Sequence, residues 1–461
     1  MAPFITDSTM HSLKNLARGA FILALALTYP ASARAELVLI ERWPLGANAC
    51  SDAPLRLTFD QLPVLGATGK IEVCRAGDGQ AVETVELGAA EYLDRFGATG
   101  GFLLRYEPVR IEGNSAFVRL RAPSLRYGES YFVRVSPGVF RDSTGHEFPG
   151  VTDGWSFQIK AALPRNPERL TVAADGNGDF CTVQAAVDQI EPYRTKPATI
   201  FIRKGEYHEL IRVGRERRFV RLLGEDRKGT VISCVNNEKL NPGWHQRAVL
   251  GVEGDDFVLE NLTVQNATPY KGSQAEAIYT NAERCILRNA NFLSFQDTLG
   301  LNGRVYVADS YIEGDVDYVW GYGTACFERC ELRTMHAGYI AQARNPAAHA
   351  GYVFLDCRLT APPEVKKCWL ARIETTRFPA SHVAFIRCHL GPQILPAGWQ
   401  VTGPPSETLR FQEFASTDLE GNPLDVSHRD PSGKQLTAAE AEMQTVSKVL
   451  GGSDSWNPAE G

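Results

Sequence analysis

The sequence predicts a mainly β protein, a right-handed parallel β-helix preceded by a small antiparallel β-sandwich, and three observations carry that expectation. Residues 36–163 consist of short period-two segments separated by Gly, Pro and Asp turns, the pattern of strands with one face in a core and one in water. Farther on, one strand-sized phrase recurs as "FVLENLTVQN", "CILRNANFLS", "VYVADSYIEG", "CFERCELRT", "VFLDCRLTA" and "AFIRCHLGP". With Asn261, Ala290, Ser310, Cys330, Cys357 and Cys388 taken as equivalent, the intervals are 29, 20, 20, 27 and 31 residues. Loose repeats of that size point to stacked units whose variable lengths are absorbed by loops. Third, the units hold too little helical periodicity for a helical or leucine-rich solenoid, which leaves the strand coil.

Taken in order, the chain opens with Lys14 and Arg18 ahead of the apolar run "GAFILALALT" and then "ASARA". That is the layout of a secretory signal over residues 1–35, cut after Ala33 or Ala35, and it implies a secreted or periplasmic protein. The run is too short to span a bilayer comfortably, so no stable membrane insertion is expected. Residues 36–163 then supply "LRLTFD", "KIEVCRA", "AFVRLRA", "YFVRVS" and "WSFQIK". They contain no paired carboxylates or convergent histidines, which suits a supporting or carbohydrate-binding module. "AALPRNPERL" marks a linker, and the second domain is expected over 164–461.

That domain begins "LTVAADGNGDFCTVQAAVDQI", a strand leading into a short helix with Val183, Ala186, Val187 and Ile190 along one side. "DGNGD" resembles the start of a calcium loop, but Phe180 and Ala186 stand where its glycine and glutamate belong, so no calcium site is expected. Within the coil, Cys330, Cys357 and Cys388 fit an interior ladder. At the end, Thr437 and Glu440 match a capping box and Gly451 a stop, predicting one helix whose Leu436, Met443, Val446 and Leu450 cover an open end of the coil.

The formal charge of -6, without a basic tract interleaved with aromatics, argues against nucleic acid as a partner. The locally basic 203–229 stretch alternates charge with apolar residues and reads as a solvated strand face. None of the ten cysteines forms a CxxC pair or a structural zinc pattern; export permits pairing, and most are expected to be buried as small hydrophobic residues. Oligomeric state is not encoded in any pattern found.

Chemistry enters through spacing. Gln274 opens "QAEAIY", Gln296 and Asp297 open "QDTL" 22 and 23 residues later, and Asp317 in "GDVDYVWG" follows another 20 on. Rungs lie about 4.8 Å apart, so Asp297 and Asp317 approach one another if their side chains leave the same face. Two carboxylates that close are not both ionised without compensation. Arg372, in "WLARIE", is the candidate compensator, its guanidinium fork holding one carboxylate charged while the other keeps a proton. The two glutamines offer neutral donors for an oxyanion. Asp315 lacks a rung partner and reads as a turn residue. A long groove on one side of the coil suits an extended polymer.

Together "GEYHE" (205–209), "QAEAIY" (274–279), "QDTL" (296–299), "GDVDYVWG" (314–321), "YIAQAR" (339–344) and "WLAR" (369–372) resemble the pectin methylesterases, over about residues 168–460. Residues 138–145 and 155–159, "GVFRDSTG" and "WSFQI", look like the end of bacterial immunoglobulin-like domains. The first resemblance implies hydrolysis of methyl-esterified galacturonan to free uronate and methanol. It further implies Asp317 as nucleophile, Asp297 as general acid and base, Gln274 and Gln296 at the oxyanion, and Arg372 orienting Asp317. Tyr279 and Trp320 would meet sugar, with no cofactor or metal. Two positions depart from the pattern: Glu374 and Thr402 stand where tryptophans are common, and a carboxylate facing the groove would repel a polyuronate. The same esterase machinery acting on another ester or thioester, a β-helical glycosidase and a noncatalytic carbohydrate-binding protein are the competing readings.

Overall fold

The computed structural model describes residues 36–89, 92–96, 101–121, 125–164 and 166–460. The segment read as a secretory signal lies outside the described residues. Residues 39–159 build two sheets around one core. One is antiparallel, in the order Leu39–Trp43, Leu55–Phe59, Ser115–Val118, Val109–Glu112; the other runs Gly46–Ala49, Ser156–Ile159, Ser130–Val135, Gly69–Arg75, Ala81–Leu87. In the second sheet only the Gly46–Ala49 pairing is parallel. Alternation sets the inner faces: Leu55, Leu57 and Phe59 from one sheet meet Ile71, Val73, Val133 and Phe157 from the other in a single buried cluster.

From Arg169 the chain winds into a parallel β-helix. One face is an eleven-stranded parallel sheet from Arg169–Val172 to Gly433–Gln435; the remaining strands join in a fourteen-stranded sheet. The two faces other than the first merge because Tyr311–Gly321 and Glu331–Ala343 run through the bend between them as continuous strands. Interior positions stack rung on rung, as Leu259, Leu287, Val307, Phe327, Phe354 and Phe385 do. Phe354 lies between Phe327 and Phe385, with ring centroids 4.5 Å away on each side. Full burial of such side chains contributes about 1.5–3 kcal/mol each, which is what holds a coil with few contacts beyond adjacent rungs.

The register corrects one expected equivalence. Glu260 pairs with Arg288 and Thr263 with Asn291, so Ala290 matches Leu262, and Asn261 matches Asn289. The later intervals of 20, 20, 27 and 31 hold. Asn261 leaves the interior ladder because the preceding turn needs a left-handed residue: Asn261, Asn289, Asp309, Arg329, Asp356 and Arg387 all have φ between 49° and 60°, a conformation Asn and Asp tolerate best among residues with a Cβ. Their side chains form a ladder of their own, Asn289 donating to Asn261 at 3.0 Å and Arg329 and Arg387 pairing with Asp309 and Asp356. Cys330, Cys357 and Cys388 stack inside, their thiols donating to the carbonyls of Val307, Phe327 and Phe354. All ten cysteines are free thiols.

Helix α1 (Val183–Gln189) packs on the first strands of the coil through Val183, Ala186 and Val187, followed by Ile190, as the sequence pattern requires. Thr182 caps it, and the buried Glu209 carboxylate accepts from the Val183 and Gln184 N–H groups at 2.8 and 2.9 Å. Burial raises the Glu209 pKa to about 7. The C-terminal segment departs from expectation. It forms two short helices, α2 (Ala438–Glu442) and α3 (Val446–Leu450), because Thr445 caps a new start at Lys448 N–H. The Thr437–Glu440 capping box is present. Leu436, Val446 and Leu450 pack on Tyr306, Cys326, Val353 and Ala384, the outward side chains of the eleven-stranded sheet. They therefore cover a side of the coil, and Met443 points to water, 56% exposed.

Candidate active site

Gln274, Gln296, Asp297 and Asp317 fall on neighbouring rungs because three segments lie in register just ahead of the strands Ile278–Asn281 and Leu299–Asn302 and within Tyr311–Gly321. Ala275 N–H donates to the Gln296 carbonyl at 3.1 Å, Asp297 N–H to Val316 at 3.1 Å, and Asp315 N–H to Phe295 at 2.8 Å. Asp297 and Asp317 both take left-handed backbone, with φ 67° and 50°. Asp297 does so in a turn and Asp317 within a strand, where a left-handed residue other than glycine is unusual. Gln274 and Gln296 are half-buried.

The two carboxylates have different surroundings. Asp317 is 4% exposed and is gripped by Arg372, whose Nε donates to Oδ1 at 2.8 Å and to Oδ2 at 3.2 Å while Nη2 reaches Oδ2. Burial raises its pKa, opposed by Arg372 and then Arg344. Asp297 is buried as well, and its Oδ2 accepts from Arg247 Nη2 at 2.8 Å. That arginine is shared: its Nε also donates to both oxygens of Glu276, at 2.9 and 2.8 Å, and its Nη1 to Glu238 at 2.9 Å. Burial and then the Glu276 anion push the Asp297 carboxyl well above the usual range, against Arg247, and the Asp317 charge pushes the same way. Glu276 itself is fully buried; burial raises its pKa, opposed by the bidentate Arg247 contact.

Sequence reasoning missed Arg247, Glu276 and Glu238. The signal was present in "QAEAIY": a glutamate among alanines and isoleucine in a strand has to be buried against a cation or turned to water. Arg247, 29 residues earlier, gave no sign of being that cation, since its loop breaks the rung spacing.

The aromatics also fall differently. Tyr279 and Trp320 were expected to face sugar, yet they are 4% and 1% exposed and pack with Ala248. Gly300 lies between them in the ladder, and a Cβ there would come within 2.7 Å of Tyr279 and 3.2 Å of Trp320, so the absent side chain is what lets the rings close. The aromatic that reaches water above them is Trp244, 44% exposed, edge-on to Trp320 at 5.8 Å. Arg344 lies 4.9 Å from the Trp320 ring. Asp315, read as a turn residue, is instead buried within a strand, 3.4 Å from His336 Nδ1. Glu374 and Thr402 are register partners, and the Glu374 carboxylate accepts from the N–H groups of Thr376 and Arg377 at 2.9 and 3.2 Å, which hold its pKa down with the Thr376 hydroxyl.

A strand coil that buries an arginine-held carboxylate and, on the adjacent rung, a second carboxyl pushed above its usual range defines a β-helical protein with a pair of unlike acids. Residues 169–453 match the pectinesterase family. The chain belongs to that family. It is 34% identical to Pectinesterase 31 of Arabidopsis thaliana over 286 residues, 59% of this chain and 89% of the relative. It is 30% identical to Pectinesterase 2 of Olea europaea over 287 residues, 59% of this chain and 76% of that one. Among solved structures, the pectin methylesterase from carrot superposes with a TM-score of 0.57 at 22% identity, covering 64% of this chain and 96% of its own. The Erwinia chrysanthemi pectin methylesterase PemA gives 0.54 at 24%, covering 63% and 98%. Those two likenesses establish the shared coil. Among the described residues no helix is long and apolar enough to cross a membrane.

Proposed function

We propose that the protein is an exported carboxylic ester hydrolase that removes methyl groups from methyl-esterified galacturonan, with residues 164–461 as the catalytic domain. Residues 36–163 would then be an appended immunoglobulin-like module. The single observation that carries the reading is the unequal treatment of two neighbouring carboxylates: Asp317 is gripped by Arg372, and Asp297 is held well above its usual pKa beside Glu276. Family membership and the names of the relatives support the substrate.

In this mechanism Asp317 attacks the C6 carbonyl of an esterified residue. The Gln274 and Gln296 amides donate to the oxygen as it becomes an oxyanion, and Arg372 keeps the nucleophile charged and aimed. Asp297 gives its proton to the departing methanol. Water then attacks the aspartyl anhydride, Asp297 takes a proton from it, and free uronate leaves with Asp317 restored. Trp244 is the exposed ring nearest the buried Tyr279–Trp320 pair and is the better candidate for contact with a sugar face.

Methanol release from highly esterified pectin, measured for wild type and Asp317→Ala alongside polymer binding, tests the assignment. Loss of release with binding retained is the expected result. Equal release by both proteins rejects Asp317 as nucleophile. Turnover of small esters with none of pectin moves the substrate elsewhere.

A further inference from the structure

The mechanism leaves one buried group of reactive side chains unused, where the sheet of residues 46–49 meets the start of α1. Cys50 is fully buried and Cys181 is 3% exposed, in one small cluster with Ala53. Ligand atoms of Cys50, Asp52 and Cys181 all lie within 4.8 Å of one another, and the Cys50 sulfur also lies 3.6 Å from each of the Gly176 and Gly178 carbonyl oxygens. We propose that Cys50 and Cys181 are a disulfide-forming pair, a covalent tie between the N-terminal sheets and the cap of α1 that closes in an oxidising medium.

The local chemistry favours this pair over the other eight cysteines. The Lys160 ammonium lies 3.1 Å from the Cys50 sulfur and also donates to the Gly178 carbonyl, placing a positive charge where a thiolate would form. The Cys50 pKa is lowered, first by the neighbouring Cys181 thiol and further by Lys160 against burial, while Cys181 is raised, first by Cys50 and then by burial, so Cys50 is the thiol of the pair that ionises first. In the interior ladder burial raises Cys357 well above the ordinary thiol value, with the neighbouring Cys330 and Cys388 thiols pushing the same way. The two segments are already held side by side. Asp52 accepts from Cys181 N–H, Thr182 N–H and the Thr182 hydroxyl at 2.9, 2.7 and 2.8 Å, so two segments 131 residues apart in sequence are pinned together beside the sulfurs.

A metal fits the same residues poorly. The Asp52 oxygens are occupied by those hydrogen bonds, and a bound cation would sit against the resident Lys160 ammonium.

The oxidation is a two-step exchange with a small-molecule disulfide such as oxidised glutathione. The Cys50 thiolate attacks one glutathione sulfur, forming a mixed disulfide and releasing one glutathione thiolate. The Cys181 thiolate then attacks the Cys50 sulfur and releases the second. Two protein thiols are oxidised, two glutathione sulfurs are reduced, and the two thiol protons go to the released thiolates.

The full chain settles this by thiol counting in two preparations, one held folded in a glutathione redox buffer and one refolded from urea in it. Each is alkylated in denaturant and digested for mass spectrometry. The expected result is a peptide joining Cys50 to Cys181, absent after reduction, with eight alkylated cysteines. The oxidised protein should also melt several degrees above the reduced one, a gap that disappears in Cys50→Ser. Ten alkylated cysteines in both preparations overturn the proposal, as does a cross-link confined to Cys330, Cys357 and Cys388, or stoichiometric zinc retained by the reduced protein.

Discussion

Asp317 and Asp297 are residues of one type, on adjacent rungs, both buried and both in left-handed backbone, yet their neighbourhoods ask different things of them. The arginine at Asp317 aims both its Nε and Nη2 at that carboxylate. The arginine at Asp297 spends three of its contacts on Glu276 and another on Glu238, leaving one hydrogen bond for the aspartate. Charge sharing, more than distance, separates the roles: a cation already neutralised by a buried glutamate does little to lower the pKa of a third carboxyl. Burial, and after it a glutamate that touches no substrate in the proposed mechanism, raise the Asp297 pKa.

The largest effects test this contrast directly. Asp317→Asn is expected to lower methanol release by more than about 10⁴-fold, because the covalent step has no nucleophile. Asp297→Asn is expected to cost about 10²–10⁴-fold on methyl esters, the range of a lost general acid. The distinction sharpens on an aryl ester, whose leaving group needs no proton: Asp297→Asn should recover much of its acylation rate, measured as a burst of phenol, and Asp317→Asn should not. Equal recovery in both variants would erase the division of labour. Gln296→Ala comes next, with an expected loss of about 10²–10³-fold in kcat and little change in KM, as for removal of one oxyanion donor.

A smaller and more diagnostic effect concerns pH. Asp297 must carry a proton to release methanol, so activity falls as pH rises through its pKa, which lies above the usual carboxylate range. Because the folded state binds this proton more tightly than the unfolded chain, the same group contributes stability that is greatest in acid and is lost as pH climbs through the folded value. Glu276→Gln removes the second-largest cause of the elevation and lets Arg247 lean on Asp297. The alkaline limb of kcat should therefore move to lower pH, with the acid limb in place. A profile that keeps its alkaline limb while losing amplitude would reduce Glu276 to a packing role.

What the sequence made legible was whatever repeats on the coil. Rung spacing put Gln274, Gln296, Asp297 and Asp317 on neighbouring rungs, and the contact of Arg372 with Asp317 followed from its motif. The same logic failed wherever a loop broke the count. Arg247 sits in a long excursion between Thr230–Cys234 and Leu250–Val252, so no interval pointed to it. Trp320 read as a surface aromatic, because the glycine that lets it bury against Tyr279 is on a different rung. Asn261 slipped by one position because a left-handed turn, invisible to a hydropathy pattern, claims the asparagine. Thr445 divided the last helix because its capping preference outweighed the continuous helical periodicity.

The smallest expected effect lies at Glu374, and it bears on the substrate more than on the chemistry. Glu374 alternates with Arg372 along Cys368–Glu374 and so leaves the same side of the strand. A free carboxylate there would repel a polyuronate, and demethylation makes the polymer more anionic with every turnover. The structure shows that this carboxylate is spoken for: two backbone N–H groups of the following turn point at it, and the Thr376 hydroxyl, followed by these N–H groups, lowers its pKa. Its charge is therefore fixed in place and partly answered locally, beside water that screens the rest. Glu374→Gln should accordingly lower KM for sparsely esterified pectin by no more than about threefold, the order expected for one exposed charge, and that small gain should fade as salt is raised. A tenfold or larger gain, or one insensitive to salt, would mean that Glu374 meets the polymer directly.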